Sequence, residues 1–206
     1  MSATFFPPQE SKIGYLELII GPMFSGKTTA LIELENDYRE DDGFTSFVIN
    51  HGDDNRYGTD GFMRTHDRRK LLAHHGKKLM DFLKDPHILE YDVILINEGQ
   101  FFPDLVKFVI IMVEVHKKKV HVAGLNGDFR KNVFGDILKL IPHCDDVRKL
   151  SANCGICKKQ RIGIFSMRKT RETEQKLVGA NNYVAACREC YEKAAYLICP
   201  DSAVTK

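Results

Sequence analysis

The sequence predicts an α/β fold: a parallel sheet flanked by helices, with a small cysteine-bearing domain after it. Three observations predict it. Short apolar runs alternate with polar, breaker-free stretches at a spacing suited to parallel crossovers. A glycine-rich turn joins the first apolar run to the first helical stretch, and two CxxC pairs fall beyond about residue 150, where the alternation stops.

Residues 1–12, with Pro7 and Pro8, read as a mobile leader. Tyr15 to Ile20 is short, apolar and β-branched and stops at a glycine, the mark of a buried strand. Lys27 to about Arg39 holds no breaker and reads as a helix. Phe44 to Ile49 reads as a second strand. From Asn50 to about Lys70 the chain is rich in Gly, Asp, Asn, Arg and His, so a long loop or irregular hairpin is expected. Tyr91 to Ile96 is a third strand, Pro103 to His116 a helix with proline in its first turn, and Lys119 to Leu125 a fourth strand. After Leu150 no long helix is expected.

The chain has 206 residues, enough for one domain or one domain with an appendage, and can remove roughly 70% of its unfolded surface from water. Its 43% hydrophobic and 28% charged residues argue against wholesale disorder. Thirty basic residues against 28 acidic give a net charge of +2, so no polyanion-binding surface follows. The apolar run Phe108–Val115 is too short to span a membrane. The first ten residues lack the pattern of a secretory signal. A soluble, intracellular protein is expected, which makes the cysteine pairs a metal site rather than disulfides.

Gly21-Pro22-Met23-Phe24-Ser25-Gly26-Lys27-Thr28 fits GxxxxGK[ST] between a predicted strand and a predicted helix. Backbone N–H groups of such a loop curl around phosphate oxygens, and the helix N-terminus adds a favourable dipole. Lys27 is placed to reach the β and γ phosphates, with the Thr28 hydroxyl on Mg²⁺. The fold expected is therefore a phosphate-loop NTPase-like sheet that binds ATP.

Val93–Ile96 ends in Asn97, where such proteins usually carry an Asp for the Mg²⁺ shell, and Glu98 follows. An amide brings no charge, so weaker organisation of Mg²⁺ is expected. Glu98 is the acid nearest a γ-phosphate acceptor and could take the proton of an attacking hydroxyl or water, an effect of about 10²–10⁴-fold; the lesser alternative is a solvated strand-end carboxylate.

Cys154, Cys157, Cys187 and Cys190 form two CxxC knuckles 29 residues apart. They match a closed tetrahedral structural Zn²⁺ site in a region too small for its own core. Cys144 and Cys199 read as spare thiols, and the basic stretch Arg168-Lys169-Thr170-Arg171 as a solvated loop.

Together the GPMFSGKT loop, the Glu98–Phe102 segment EGQFF and the CxxC pairs around a long loop resemble the zinc-containing thymidine kinases of cells and large DNA viruses. The resemblance runs from about Tyr15 to Tyr191 and includes Asn55-Arg56-Tyr57, Thr65-His66-Asp67, Pro103-Asp104, Phe129, Phe134-Gly135 and Phe165-Ser166-x-Arg168. It implies transfer of the ATP γ-phosphate to the 5′-hydroxyl of thymidine or deoxyuridine, with Glu98 as general base and Lys27 as its catalytic partner. The resemblance places the loop Gly21–Thr28 with Asp54, Arg56, Asn97 and Gln100 around ATP and Mg²⁺. It lines the nucleoside pocket with Met23, Phe101, Leu125, Phe129, Phe134 and Ser166. A lasso closes over the nucleoside through Leu177, Val178, Gly179 and Tyr183, its ends anchored by zinc.

The resemblance divides the chain into a leader (1–12), a nucleotide-binding domain (13–150), a zinc-binding lasso domain (151–193) and a tail (194–206). It also implies a cytoplasmic homotetramer, feedback inhibition by thymidine triphosphate, and neither membrane nor nucleic acid as a partner. Three departures stand out: Asn97 for the usual Asp, Asn126 where Asp is common, and Val178 in place of a lasso glycine. Valine excludes backbone conformations that glycine reaches. Two other readings stay open, an ATPase acting on nucleic acid and a nucleotide-sensing regulator that has lost turnover.

Overall fold

A computed structural model describes residues 13–40, 44–52, 62–64, 70–157, 161–177 and 179–198. Strand β1 (Tyr15–Gly21) leads through the glycine-rich turn into helix α1 (Lys27–Glu40), and β2 (Ser46–His51) follows. Two short strands, β3 (Phe62–Arg64) and β4 (Lys70–Leu72), pair antiparallel, and β5 (His74–Gly76) returns to the main sheet. Next come β6 (Val93–Ile96), α2 (Leu105–Ile110), β7 (Lys119–Leu125) and β8 (Asp146–Lys149). All pairings in the six-stranded sheet, ordered β5-β2-β6-β7-β1-β8, are parallel.

The two-residue period of a strand sorts the core into two layers. Leu16, Leu18, Ile20, Ile94, Ile96, Val120 and Val122 point to one face, where Leu105, Phe108, Val109 and Met112 cover them. Ile19, Val48, Val93, Leu95 and Ala123 point to the other, under Ala30, Leu31 and Ile32 of α1. Near-continuous apolar strands are what a parallel sheet covered on both faces needs. The same alternation turns Glu17 and His121, paired in register, toward the α1 face, where His121 meets Tyr38.

The last quarter is built on small hairpins. β9 (Ala152–Asn153) pairs with β10 (Ile162–Gly163), and β11 (Phe165–Arg168) with β12 (Tyr183–Ala186). The chain then forms the eleven-residue helix α3 (Arg188–Ile198), which corrects the expectation that no long helix follows Leu150. Within it Glu189 and Lys193 pair at 2.6 Å one turn apart.

The helix expected at Pro103 starts at Leu105 and runs on as a π-helical turn over Ile111–Val115. Pro103 lies in the preceding turn, and Asp104 does not cap the helix with its carboxylate. That carboxylate instead accepts the Leu79 and Met80 backbone N–H groups at 3.0 and 2.9 Å, tying a 3₁₀ turn to the sheet's α2 face. Among the described residues, no helix is long and apolar enough to cross a membrane.

Candidate functional site

Parallel strands bring their carboxyl ends to one edge, and the loops leaving β1, β6 and β7 meet there. The turn after β1 is set by its own residues. Gly26 adopts φ 82°, a left-handed backbone open to glycine, and its carbonyl accepts Ala30 N at 2.9 Å to begin α1. Phe24 also has positive φ, 65°, in a loop whose Ser25 hydroxyl donates to the Pro22 carbonyl at 2.8 Å. Lys27 Nζ donates to the same carbonyl at 2.7 Å. The loop thus presents one lysine and a run of backbone N–H groups at a helix N-terminus, the chemistry of a polyphosphate cradle.

The end of β6 packs against this loop. Thr28 Oγ1 lies 3.4 Å from Asn97 Oδ1, while Asn97 Nδ2 donates to Asn50 Oδ1 at 2.9 Å. Asn50, at the end of β2, thereby fixes the Asn97 amide with its oxygen toward Thr28. Asn50 was not expected at the site, and nothing in its local sequence marks it; the β2–β6 pairing supplies it.

Glu98 follows with φ 56°, a left-handed conformation that a glutamate adopts only under constraint from its surroundings. It is buried, at 8% exposure. Gln100 Nε2 donates to Glu98 Oε2 at 2.6 Å, and Gln100 Oε1 accepts Leu125 N at 2.9 Å. The Gln100 amide therefore joins the end of β6 to the end of β7.

Apolar groups gather beside these polar ones. The Phe101 and Phe134 rings meet edge to face at 5.3 Å, and the Lys176 ammonium lies 4.6 Å from the Phe101 ring centroid. Phe129 is buried, and its carbonyl accepts the Tyr191 hydroxyl of α3 at 2.6 Å. Met23 and Leu125 are half-buried. Ser166, on β11, is also buried and accepts the Met23 backbone N–H at 2.9 Å, so β11 is pinned to the glycine-rich loop.

The largest departure from expectation is Arg168. Read as part of a solvated basic stretch, it is 1% exposed. Nη1 donates to the carbonyls of Glu172, at 2.9 Å, and Glu174; Nη2 donates to the carbonyl of Gln175, at 3.2 Å, and to the Tyr183 hydroxyl. Its guanidinium lies 3.8 Å from the Phe129 ring centroid. One cation thus organises the 169–182 loop by collecting its carbonyls, and stacks that loop on the main domain. Tyr183 donates to the Leu177 carbonyl at 3.1 Å, so its hydroxyl is engaged within the loop. Gln175 Nε2 donates to Asp128 Oδ2 at 2.9 Å, while the other Asp128 oxygen accepts Arg130 N and Asn132 N. Gly179, with φ 129°, closes the stretch ahead of β12. Asp54, Arg56 and Val178 lie outside the described residues, as do Asn55, Tyr57, Thr65, His66, Asp67 and Cys199.

The four knuckle cysteines converge. The Sγ atoms of Cys154, Cys157, Cys187 and Cys190 all lie within 4.8 Å of one another, and Cys157 Sγ is 3.9 Å from Cys187 Sγ. Zn–S bonds of about 2.3 Å in a tetrahedron put sulfurs roughly 3.8 Å apart, so the donor set fits a tetrahedral metal. Burial pushes the Cys154 thiol up, but hydrogen bonds from the backbone of Cys157, Cys187 and Ile156 outweigh it and bring it to about 6. Burial and the neighbouring thiols push Cys190 up to about 12.

A glycine-rich GxxxxGK[ST] turn between strand and helix, a buried glutamate at the end of β6 and four converging cysteines are the features of a nucleotide-dependent phosphotransferase with a cysteine cluster that could hold a metal. A sequence profile described as thymidine kinase matches residues 14–191. The chain is 43% identical over 179 residues to the thymidine kinase of Vaccinia virus (strain Western Reserve), covering 86% of this chain and 97% of the relative. It is 42% identical over 179 residues to that of Variola virus (isolate Human/India/Ind3/1967), with the same coverage. It is 40% identical over 187 residues to that of Oryza sativa subsp. japonica, covering 89% of this chain and 68% of the relative. The chain belongs to the thymidine kinase family.

Proposed function

We propose that this protein transfers the γ-phosphoryl group of ATP to the 5′-hydroxyl of thymidine, with deoxyuridine as a second acceptor, in pyrimidine deoxynucleoside salvage. The observation that carries the reading is the 3.4 Å approach of Asn97 to Thr28, which joins the end of β6, one residue before Glu98, to the start of α1. Family membership supplies the acceptor class.

The N–H groups of Gly21–Thr28 hold the phosphates, and Lys27 exchanges the Pro22 carbonyl for the β and γ phosphates. Thr28 Oγ1 and Asn97 Oδ1, 3.4 Å apart, would hold the divalent cation, with Asp54 and Arg56 as further phosphate and metal groups outside the described residues. Mg²⁺, when bound there, neutralises charge on the β and γ phosphates. Glu98 accepts the 5′-hydroxyl proton as that oxygen bonds to the γ-phosphorus and the bond to the β–γ bridging oxygen breaks. Met23, Phe101, Leu125, Phe129, Phe134 and Ser166 surround the nucleoside. Backbone groups around Leu177, Val178 and Gly179, with Tyr183, cover it.

Zn²⁺ on Cys154, Cys157, Cys187 and Cys190 is structural and holds the two ends of the covering loop. The division into residues 1–12, 13–150, 151–193 and 194–206 is part of the same reading. So are a cytoplasmic homotetramer and inhibition by thymidine triphosphate; for these the family resemblance is the support.

Transfer from labelled ATP in excess Mg²⁺, offered thymidine, deoxyuridine, deoxycytidine, deoxyadenosine or water, tests the reading. Product with thymidine and deoxyuridine and none with the purine is expected. ATP binding without any nucleotide product would overturn it.

A further inference from the structure

We propose that Gln100 is a positioning residue for phosphoryl transfer: it holds the Glu98 carboxylate ionised and in one plane, and ties it to the strand that carries the nucleoside wall. The inference rests on Glu98 being the base and goes one residue beyond it.

The orientation of the Gln100 amide is set by chemistry. Leu125 N can only donate, so the group 2.9 Å away must be the carbonyl oxygen, Oε1. The amide nitrogen then faces Glu98 Oε2, at 2.6 Å. An NH₂ group can only donate, so Oε2 accepts, and a bond of this kind is stronger to a carboxylate than to a neutral carboxyl group and so favours the ionised form. Both side chains are buried, Gln100 at 3% exposure and Glu98 at 8%, so water competes little and the bond strengthens.

The surroundings make room for this one side chain. A Cβ at Gly124 would lie 2.5 Å from Gln100 Oε1, so the residue before Leu125 has to be glycine for the amide to reach Leu125 N. Glu98 itself is held at positive φ, a backbone conformation that persists only where the surroundings fix it. The Leu125 side chain borders the proposed nucleoside pocket, and its backbone anchors the amide that anchors the base. Base and acceptor wall therefore share one reference point, which serves the alignment on which in-line transfer depends.

Gln100→Leu removes both hydrogen bonds at similar volume, and Gln100→Glu keeps the shape while placing a second carboxyl group on Glu98. For each, kcat and KM for thymidine are measured from pH 5 to 9 beside Glu98→Gln, with the far-ultraviolet circular dichroism spectrum and melting temperature as the check on folding. Gln100→Leu is expected to lower kcat about 10- to 100-fold, with a smaller change in thymidine KM. The acid limb of its kcat/KM profile moves to higher pH. Gln100→Glu moves that limb further, because two adjacent carboxyl groups share a proton. An acid limb and kcat unchanged in both variants, while Glu98→Gln is inactive, would overturn this inference alone. Full activity of Glu98→Gln would overturn the base assignment and the inference with it.

Discussion

The Ser166 hydroxyl accepts a hydrogen bond from the Met23 backbone N–H at 2.9 Å, joining β11 of the cysteine-bearing region to the phosphate loop. The Met23 N–H is thereby committed to β11. Phosphate binding and loop placement therefore share a bond.

Ser166→Ala leaves the Met23 N–H without its partner, a cost of about 1–3 kcal/mol. KM for ATP and for thymidine are expected to rise together, while Ser166→Thr, which keeps the hydroxyl, retains both. Steady-state kinetics with each substrate varied in turn provides the check; a rise confined to thymidine would show that Ser166 serves the nucleoside alone.

Arg168 gathers the carbonyls of Glu172, Glu174 and Gln175 and stacks on Phe129. Hydrogen bonds to a charged group contribute roughly 1.5–3 kcal/mol each, so Arg168→Met is expected to raise thymidine KM by at least tenfold. Arg168→Lys recovers little, because an ammonium cannot reproduce the planar fork or the stacking. ATP affinity, measured by calorimetry, stays near that of the unaltered protein. Equal losses for ATP and thymidine would mean that Arg168 supports the whole fold rather than the loop.

Asn97 faces Thr28 with a neutral oxygen because Asn50 takes its amide nitrogen. Asn97→Asp places a charged acceptor there, and Asn50 can turn its own amide to donate to it. The Mg²⁺ concentration for half-maximal rate is expected to fall roughly tenfold, equivalent to about 1.4 kcal/mol. Mn²⁺ binding in the presence of ATP, followed by electron paramagnetic resonance, should tighten in parallel. An unchanged metal dependence would remove the amide pair from the account of Mg²⁺ use.

Far from the site, Glu17 lies buried between β7 and β8. Its Oε2 is 2.7 Å from His121 Nδ1, and its Oε1 is 3.1 Å from Arg148 Nε in an ion pair without hydrogen-bond geometry. Burial pushes the Glu17 carboxyl up, but the His121 hydrogen bond and the Arg148 charge outweigh it, leaving the folded-state value below the usual one. A lowered folded value means stability that is complete above the ordinary glutamate range and lost as pH falls through the folded value. Melting temperature followed from pH 7 to 3 is expected to drop less steeply for Glu17→Gln than for the unaltered protein. Parallel curves would show that Glu17 does not couple folding to protons.

The residue types and their spacing were enough for the phosphate loop, the four-cysteine set and the parallel α/β sheet. Each depends on local chemistry: a glycine turn between strand and helix, thiols two residues apart, apolar runs that only a doubly covered sheet can bury. Helix α3 was missed: the Glu189–Lys193 pair fits a helix, but one pair at that spacing is a weak signal. Arg168 was misread because a charge in a polar stretch looks the same whether water or three carbonyls solvate it. Only the return of the 169–182 loop onto β11 decides that. Asn50 reached Asn97, and Gln100 reached Leu125, through strand pairings that bring together residues far apart in the chain. Sequence patterns record what each segment can bury or bind by itself; which polar groups satisfy one another inside the fold depends on long-range register, and only the tertiary structure decided it.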